Sequence, residues 1–89
     1  MSVIDNTARG RFELTEDGHT AFADYEIHGN VMVLPHTVVP PEARGSGMAG
    51  RLVKGALDAA RERGLKVSPA CSYVDAYMRR HPDTQDLRA

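Results

Sequence analysis

Val38-Val39-Pro40-Pro41-Glu42-Ala43-Arg44-Gly45-Ser46-Gly47-Met48-Ala49-Gly50-Arg51-Leu52-Val53 reads as a strand end, a loop and the start of an amphipathic helix. Pro40 and Pro41 withhold two backbone donors and push the residue before each out of the helical region, so the loop is expected to be non-helical. Gly45 and Gly47 permit conformations and close approaches that a Cβ would block. From Met48 the apolar spacing takes the helical period. The result is a helix N-terminus whose unpaired N–H groups face a loop almost bare of side chains. Such a construction favours an anion, phosphate above all.

Three readings of the loop compete, beside that of a Gly-rich helix start with no ligand. Gly45-Ser46-Gly47-Met48-Ala49-Gly50 matches the dinucleotide pattern G-x-G-x-x-G. That pattern wants a strand running straight into the first Gly and an acid about 20 residues on. Here a Pro-Pro pair intervenes, and Ser68-Pro69-Ala70-Cys71 stands where the acid belongs. A P-loop is excluded because no Gly-Lys-Ser/Thr follows. The third reading takes Arg44-Gly45-Ser46-Gly47-Met48-Ala49 as R-x-x-G-x-A.

Working outward, 89 residues with 42% hydrophobic and 26% charged content fit one globular domain spanning 1–89. No apolar run approaches the ~18 residues of a membrane span. Met1–Gly10 shows no secretory apolar segment. One cysteine cannot form an internal disulfide, so a cytoplasmic location is expected. A net charge of −1 argues against a general nucleic-acid binder. Residues 1–43 carry −5 and residues 44–89 carry +4, a basic half suited to a polyanionic ligand and an acidic half suited to a cationic one.

Residues 1–9 read as a flexible tail. Arg11–Leu14 is a short strand, Asp17-Gly18 a turn, and Ala21–Ile27 an alternating strand with Ala21, Ala23, Tyr25 and Ile27 on one face. Gly29-Asn30 supports a hairpin into Val31–Leu34. Pro35 marks an edge, a bulge or the end of pairing. Simple alternation places Met32, Leu34, His36 and Val38 on one face, unless a bulge shifts the register. A helix is expected from about Met48 to Arg63, with a stripe of Met48, Ala49, Leu52, Val53, Ala56, Leu57 and Ala60, closed by Gly64. Leu65–Ser68 is a further strand, parallel to the one before the helix. Ser72-Tyr73-Val74-Asp75 has the form of a capping box with Ser72 as N-cap. The second helix stops at His81-Pro82, and residues 83–89 are expected to fray. The fold class is therefore α/β, a small mixed sheet of about four to five strands with two helices.

Taken together, His36-Thr37-x-Val39-Pro40, Arg44-Gly45-x-Gly47, Val67-x-Pro69-x-Cys71-Ser72 and Tyr77-Met78-Arg79-Arg80-His81-Pro82 resemble the small YjdJ-type branch of the GNAT acetyltransferase superfamily. The resemblance covers about Phe12 to Leu87. It implies acetyl-coenzyme A or coenzyme A as ligand. The backbone of Arg44, Gly45, Ser46, Gly47, Met48 and Ala49 would take the pyrophosphate, and Val38 and Val39 the pantetheine arm. Arg80 is a further candidate for a phosphate contact. The superfamily's general-acid Tyr falls on Met78, which cannot donate a proton, so catalytic residues do not carry over directly.

Acyl transfer to an amine needs a base for the ammonium proton and a route to reprotonate the thiolate. His36, in an apolar strand just before the loop, is the candidate base. Cys71, at the start of the second helix, is the candidate nucleophile or proton donor, since a helix N-terminus favours a thiolate. Asp24 and Glu26 could attract a cationic amine. Four dispersed His and one Cys show no metal-ligand spacing, so no metal is expected. The expected function is N-acetyltransfer to a primary amine, carried by a small molecule or a protein. The alternative is a coenzyme A-binding module without turnover. Neither nucleic acid nor membrane is an expected partner, and the chain is expected to be a monomer or weak dimer.

Overall fold

Two glycine turns set the sheet. The computed structural model describes residues 3–89. Asp17 and Gly18 both take positive φ, at 51° and 79°, and join β2 (Arg11–Glu16) to β3 (His19–His28) with the right-handed twist that such turns match. Gly29, at φ 62°, turns β3 into β4 (Val31–Val38). With β1 (Ile4–Asn6) and β5 (Lys66–Ser68) these strands form one five-stranded sheet in sequence order. The first four strands are antiparallel, and β5 runs parallel to β4.

The decisive irregularity lies in β4. Asp24 pairs with His36 while Glu26 pairs with Val33, so the single Tyr25 of β3 faces two residues of β4, Leu34 and Pro35. Pro35 has no N–H to give a ladder, and the chain bulges there. Simple alternation is therefore broken. Met32 and Leu34 are buried, whereas His36 and Val38 turn to the opposite, exposed side and Thr37 turns inward. One row across the sheet, Asn6–Arg11–Asp24–His36, faces outward, and the next, Asp5–Phe12–Ala23–Thr37, faces the helices.

Helix α1 (Met48–Glu62) crosses the inner face and buries Met48, Leu52, Val53, Ala56, Leu57 and Ala60 against Phe12, Leu14, Ala21, Ala23, Met32 and Leu34. Each fully buried Leu or Val there contributes roughly 1.5–3 kcal/mol. Ala49 leaves the expected stripe and is only half-buried. The helix ends in a Schellman motif, with Gly64 at φ 69°, its N–H on Arg61 O and the Leu65 N–H on Ala60 O. Helix α2 (Ser72–Arg80) adds Val74, Tyr77 and Met78 to the same core.

Several expectations are corrected. Residues 4–6 of the expected tail form an edge strand, because Tyr25 Oη donates to Asp5 at 2.6 Å and Val3 packs where a Cβ on Gly55 would lie. Met1 and Ser2 lie outside the described residues. The Pro-rich loop is partly helical, since Pro41 suits the first position of a 3₁₀ turn, Pro41–Ala43. Residues 83–89 do not fray. Pro82–Leu87 is a 3₁₀ helix with Thr84 and Leu87 buried, and the Ala89 N–H donates to Val67 O at 2.9 Å. The N-cap position of α2 falls on Cys71, not Ser72, and neither side chain closes a cap hydrogen bond there. The Asp75 carboxylate is drawn instead to Arg79 and Arg88, each at 3.0 Å.

Candidate active site

β4 outruns β5. Pairing holds only for Val31–Val33 against Lys66–Ser68, and the Cys71 N–H then donates to Leu34 O at 2.9 Å. Beyond that bond β4 continues to Val38 with no strand on its β5 side among the described residues. The opening leads to the turn before α1.

That turn is tied from within. The Ser46 hydroxyl donates to Ala43 O at 2.6 Å and accepts the Met48 N–H at 3.3 Å. Arg51 reaches back to Ser46 O and grips Glu16 through two hydrogen bonds, 2.6 and 2.9 Å, fixing the turn to the end of β2. Gly45 and Gly47 sit in the left-handed region, at φ 84° and 85°. With Gly47 as N-cap, the amides of Gly45, Gly47, Ala49 and Gly50 find no hydrogen-bond partner among the described residues. They are the donors a phosphate would use. The donor set fits a pyrophosphate.

Between the β4 edge and this turn runs a groove lined by Thr37, Val38, Val39, Arg44, Ala49 and Tyr73. It continues into a hollow between Val39, Gly45, Gly47 and Met48. The structure thus brings together Val38, Val39, Arg44, Gly45, Gly47, Met48 and Ala49. The Arg44 Nε donates to Val39 O at 3.4 Å. Ser46 faces away, into a neighbouring hollow with Glu16, Asp17 and Glu42. Arg80 does not join the groove. It sits in the last turn of α2, seven residues past Tyr73, about 10 Å along the helix axis.

Cys71 stands at the apex of the opening. Its Sγ lies 3.6 Å from Thr37 Oγ1, so the thiol touches the inner side of β4. Partial burial opposes ionisation. The backbone N–H of Val74, the Thr37 hydroxyl and the N–H of Tyr73 outweigh it and hold the thiol below its ordinary pKa. The sulfur closes no geometric cap hydrogen bond, so the amides act on it as oriented dipoles. His36 is on the other side of the same strand, exposed. The two candidate catalytic side chains therefore flank β4 rather than meet.

Sequence reasoning missed Tyr73 as a groove residue. The chain enters α2 directly from the opening, so the side chain in its first turn falls across the groove. Its hydroxyl has no hydrogen-bond partner among the described residues and packs 3.6 Å from where a Cβ on Gly50 would lie. The signal available was an aromatic two residues after the strand-to-helix Cys. Met78, where the superfamily's Tyr was expected, is fully buried. Tyr77 is buried too, stacked on His81 at 3.9 Å, with its ring edge 3.9 Å from where a Cβ on Gly50 would lie. Among the described residues no three His, Cys, Asp or Glu side chains gather as a metal-binding group, and no helix is long and apolar enough to cross a membrane.

The sequence and the fold have relatives. The chain is 42% identical over 64 residues to Protein NATD1 of Homo sapiens, 71% of this chain and 57% of that protein. To Protein NATD1 of Danio rerio it is 38% identical over 64 residues, 71% of this chain and 58% of that one. It thus spans less than two thirds of the length of these curated relatives. The solution NMR structure of a GCN5-like protein from Staphylococcus aureus superposes with a TM-score of 0.77 at 24% identity, over 99% of this chain and 87% of that one, a likeness of fold. The family model described as GCN5-related N-acetyl-transferase matches residues 11–87, the whole of the sheet from β2 onward with both helices. The chain belongs to the GCN5-related N-acetyltransferase family.

Proposed function

We propose that this protein is an acetyl-coenzyme A-dependent N-acetyltransferase acting on a primary amine. One observation carries the reading. A bare loop with four amides unpartnered among the described residues opens into a groove along the free edge of β4, and a thiol of lowered pKa touches Thr37, one of the groove's lining residues. The amides from Gly45 to Gly50 suit the pyrophosphate, Arg44 adds a cation, and the β4 edge at Val38 and Val39 suits the amide-bearing pantetheine arm. The bound thioester supplies the acetyl group. Cys71 then acts from the inner side of β4, as nucleophile or as proton donor to the leaving thiolate, and His36 serves as base from the outer side. A cytoplasmic location accords with the free thiol.

Amide resonances of Gly45, Gly47 and Ala49 followed during titration with acetyl-coenzyme A test the binding half. They should shift first and most. Loss of thioester in the presence of a panel of primary amines tests the catalytic half. Binding without consumption for any amine would leave a coenzyme A-binding module in place of the enzyme.

A further inference from the structure

We propose that the acceptor amine docks on the open outer face of the sheet, held by Asp24 beside His36. This rests on the acetyltransferase reading and adds the side of approach and the group that selects for a cation. Both helices pack on the inner face, and none of the outward residues of β2–β4 (Arg11, Glu13, Phe22, Asp24, His36, Val38) is buried. The face is uncovered along the row that ends at the opening between β4 and β5.

In that row Asp24 and His36 are directly opposed across β3 and β4. Cross-strand partners hold their Cβ atoms ~4.5–5.5 Å apart, close enough for one small cation to touch both side chains. The bulge at Leu34–Pro35 creates the pairing, since without it His36 would point into the core with Leu34. The Asp24 carboxylate has no hydrogen bond or ion pair among the described residues. Its other cross-strand neighbour, Arg11, is turned along its own strand, with Nε on Glu13 at 2.7 Å and its guanidinium 4.2 Å over the Phe22 ring. Glu26, the next acid of β3, is engaged by His28 at 3.0 Å. Among the described residues Asp24 is thus a half-buried carboxylate without a partner, beside a His36 imidazole likewise without one, two residues along β4 from the carbonyl that receives the Cys71 N–H.

The chemistry follows from that placement. The Asp24 carboxylate attracts an ammonium, and a ring nitrogen of His36 accepts one of its protons. The freed nitrogen lone pair forms the amide C–N bond as the thioester C–S bond breaks. The second nitrogen proton balances the departing thiolate. Asp24 is a positioning residue in this scheme and His36 the catalytic base.

The test uses the isotope-labelled chain, loaded with acetyl-coenzyme A and titrated with Nα-acetyl-lysinamide, with Nα-acetyl-norleucinamide as the uncharged control. The lysine probe should shift Asp24, His36 and their strand neighbours, and the norleucine probe should not. Asp24→Asn should weaken the lysine response about fivefold, the scale of one exposed ion pair. With a turned-over amine, the same variant should raise KM while keeping kcat, and His36→Gln should lower kcat. Lysine-probe shifts centred on Glu16, Asp17 and Glu42, an absent response, or an unchanged response in Asp24→Asn would each overturn the docking site. Failure of acetyl-coenzyme A to shift Gly45–Ala49 beforehand would instead overturn the acetyltransferase reading, and the docking site with it.

Discussion

The Sγ of Cys71 lies 3.6 Å from the Oγ1 of Thr37, joining the start of α2 to the stretch of β4 that has lost its parallel neighbour. Thr37 faces inward there only because the bulge has inverted the alternation after Leu34. The contact places the single thiol of the chain beside a residue that lines the groove, with a hydroxyl able to donate to the thiolate.

Thr37→Val should therefore raise the thiol pKa, because it removes one of the donors that favour the ionised sulfur. Alkylation of Cys71 by iodoacetamide should slow severalfold at neutral pH and converge with the parent rate at high pH, where both thiols are ionised. Equal rates at every pH would mean that the hydroxyl does not touch the thiolate in solution.

Cys71→Ala should keep the fold and the binding of acetyl-coenzyme A, since Cys71 is only half-buried and its backbone, not its sulfur, makes the bond to Leu34. Turnover with an accepted amine should fall about a hundredfold or more if the thiol acts chemically, the low end of what a positioned acid or base contributes, ~10²–10⁴. Full retained turnover would assign Cys71 to structure and leave His36 as the residue to examine.

Substitution at Gly47 separates fold from binding. Its φ of 85° costs any other residue roughly 1–2 kcal/mol, and a Cβ there would meet Arg51 Nη1 at 2.9 Å. Gly47→Val should lose binding of acetyl-coenzyme A in a thermal-shift titration while the chain still melts cooperatively. Ser46→Ala should bind the ligand but lose about 1 kcal/mol of stability, because the Ser46 hydroxyl satisfies the Met48 N–H.

The ion pair of Glu16 with Arg51 makes the loop sensitive to acid. The Arg51 hydrogen bonds hold the Glu16 carboxyl below its ordinary range, against the opposing effect of burial. A pKa lowered by folding contributes stability in full above the unfolded value, ~4.3 for Glu. That contribution disappears as the pH falls through the lower folded value. Between about pH 5 and pH 3 the melting temperature of the parent should therefore fall more steeply than that of Glu16→Gln. Parallel curves would show that the pair contributes nothing to folding.

The C-terminal 3₁₀ helix should behave as core. Leu87 is 5% exposed and packs with the residues of α1 and α2. Leu87→Ala should cost ~2–4 kcal/mol in urea denaturation. A change under ~0.5 kcal/mol, the usual range for surface positions, would mean that this segment is frayed after all.

The sequence by itself determined what depends on local period and local backbone preference. The stripe from Met48 to Ala60 fixed the long helix, Gly64 its end, the Asp-Gly and Gly-Asn pairs the two hairpins, and the Gly45–Gly47 spacing a loop of free amides. Those features are set by atoms within a few residues of each other, so each can be read without knowing the rest of the chain. Tertiary structure decided the remainder. The bulge at Leu34–Pro35 is legible only as a mismatch between two strands, yet it sends His36 outward and Thr37 inward. Asp75 has the spacing of a capping box, but Arg88, 13 residues on, competes for it and wins. Ile4–Asn6 and Pro82–Leu87 are too short and too polar to announce themselves. They order because Tyr25, Gly55 and Val67 offer them partners that lie far off in sequence and close in space.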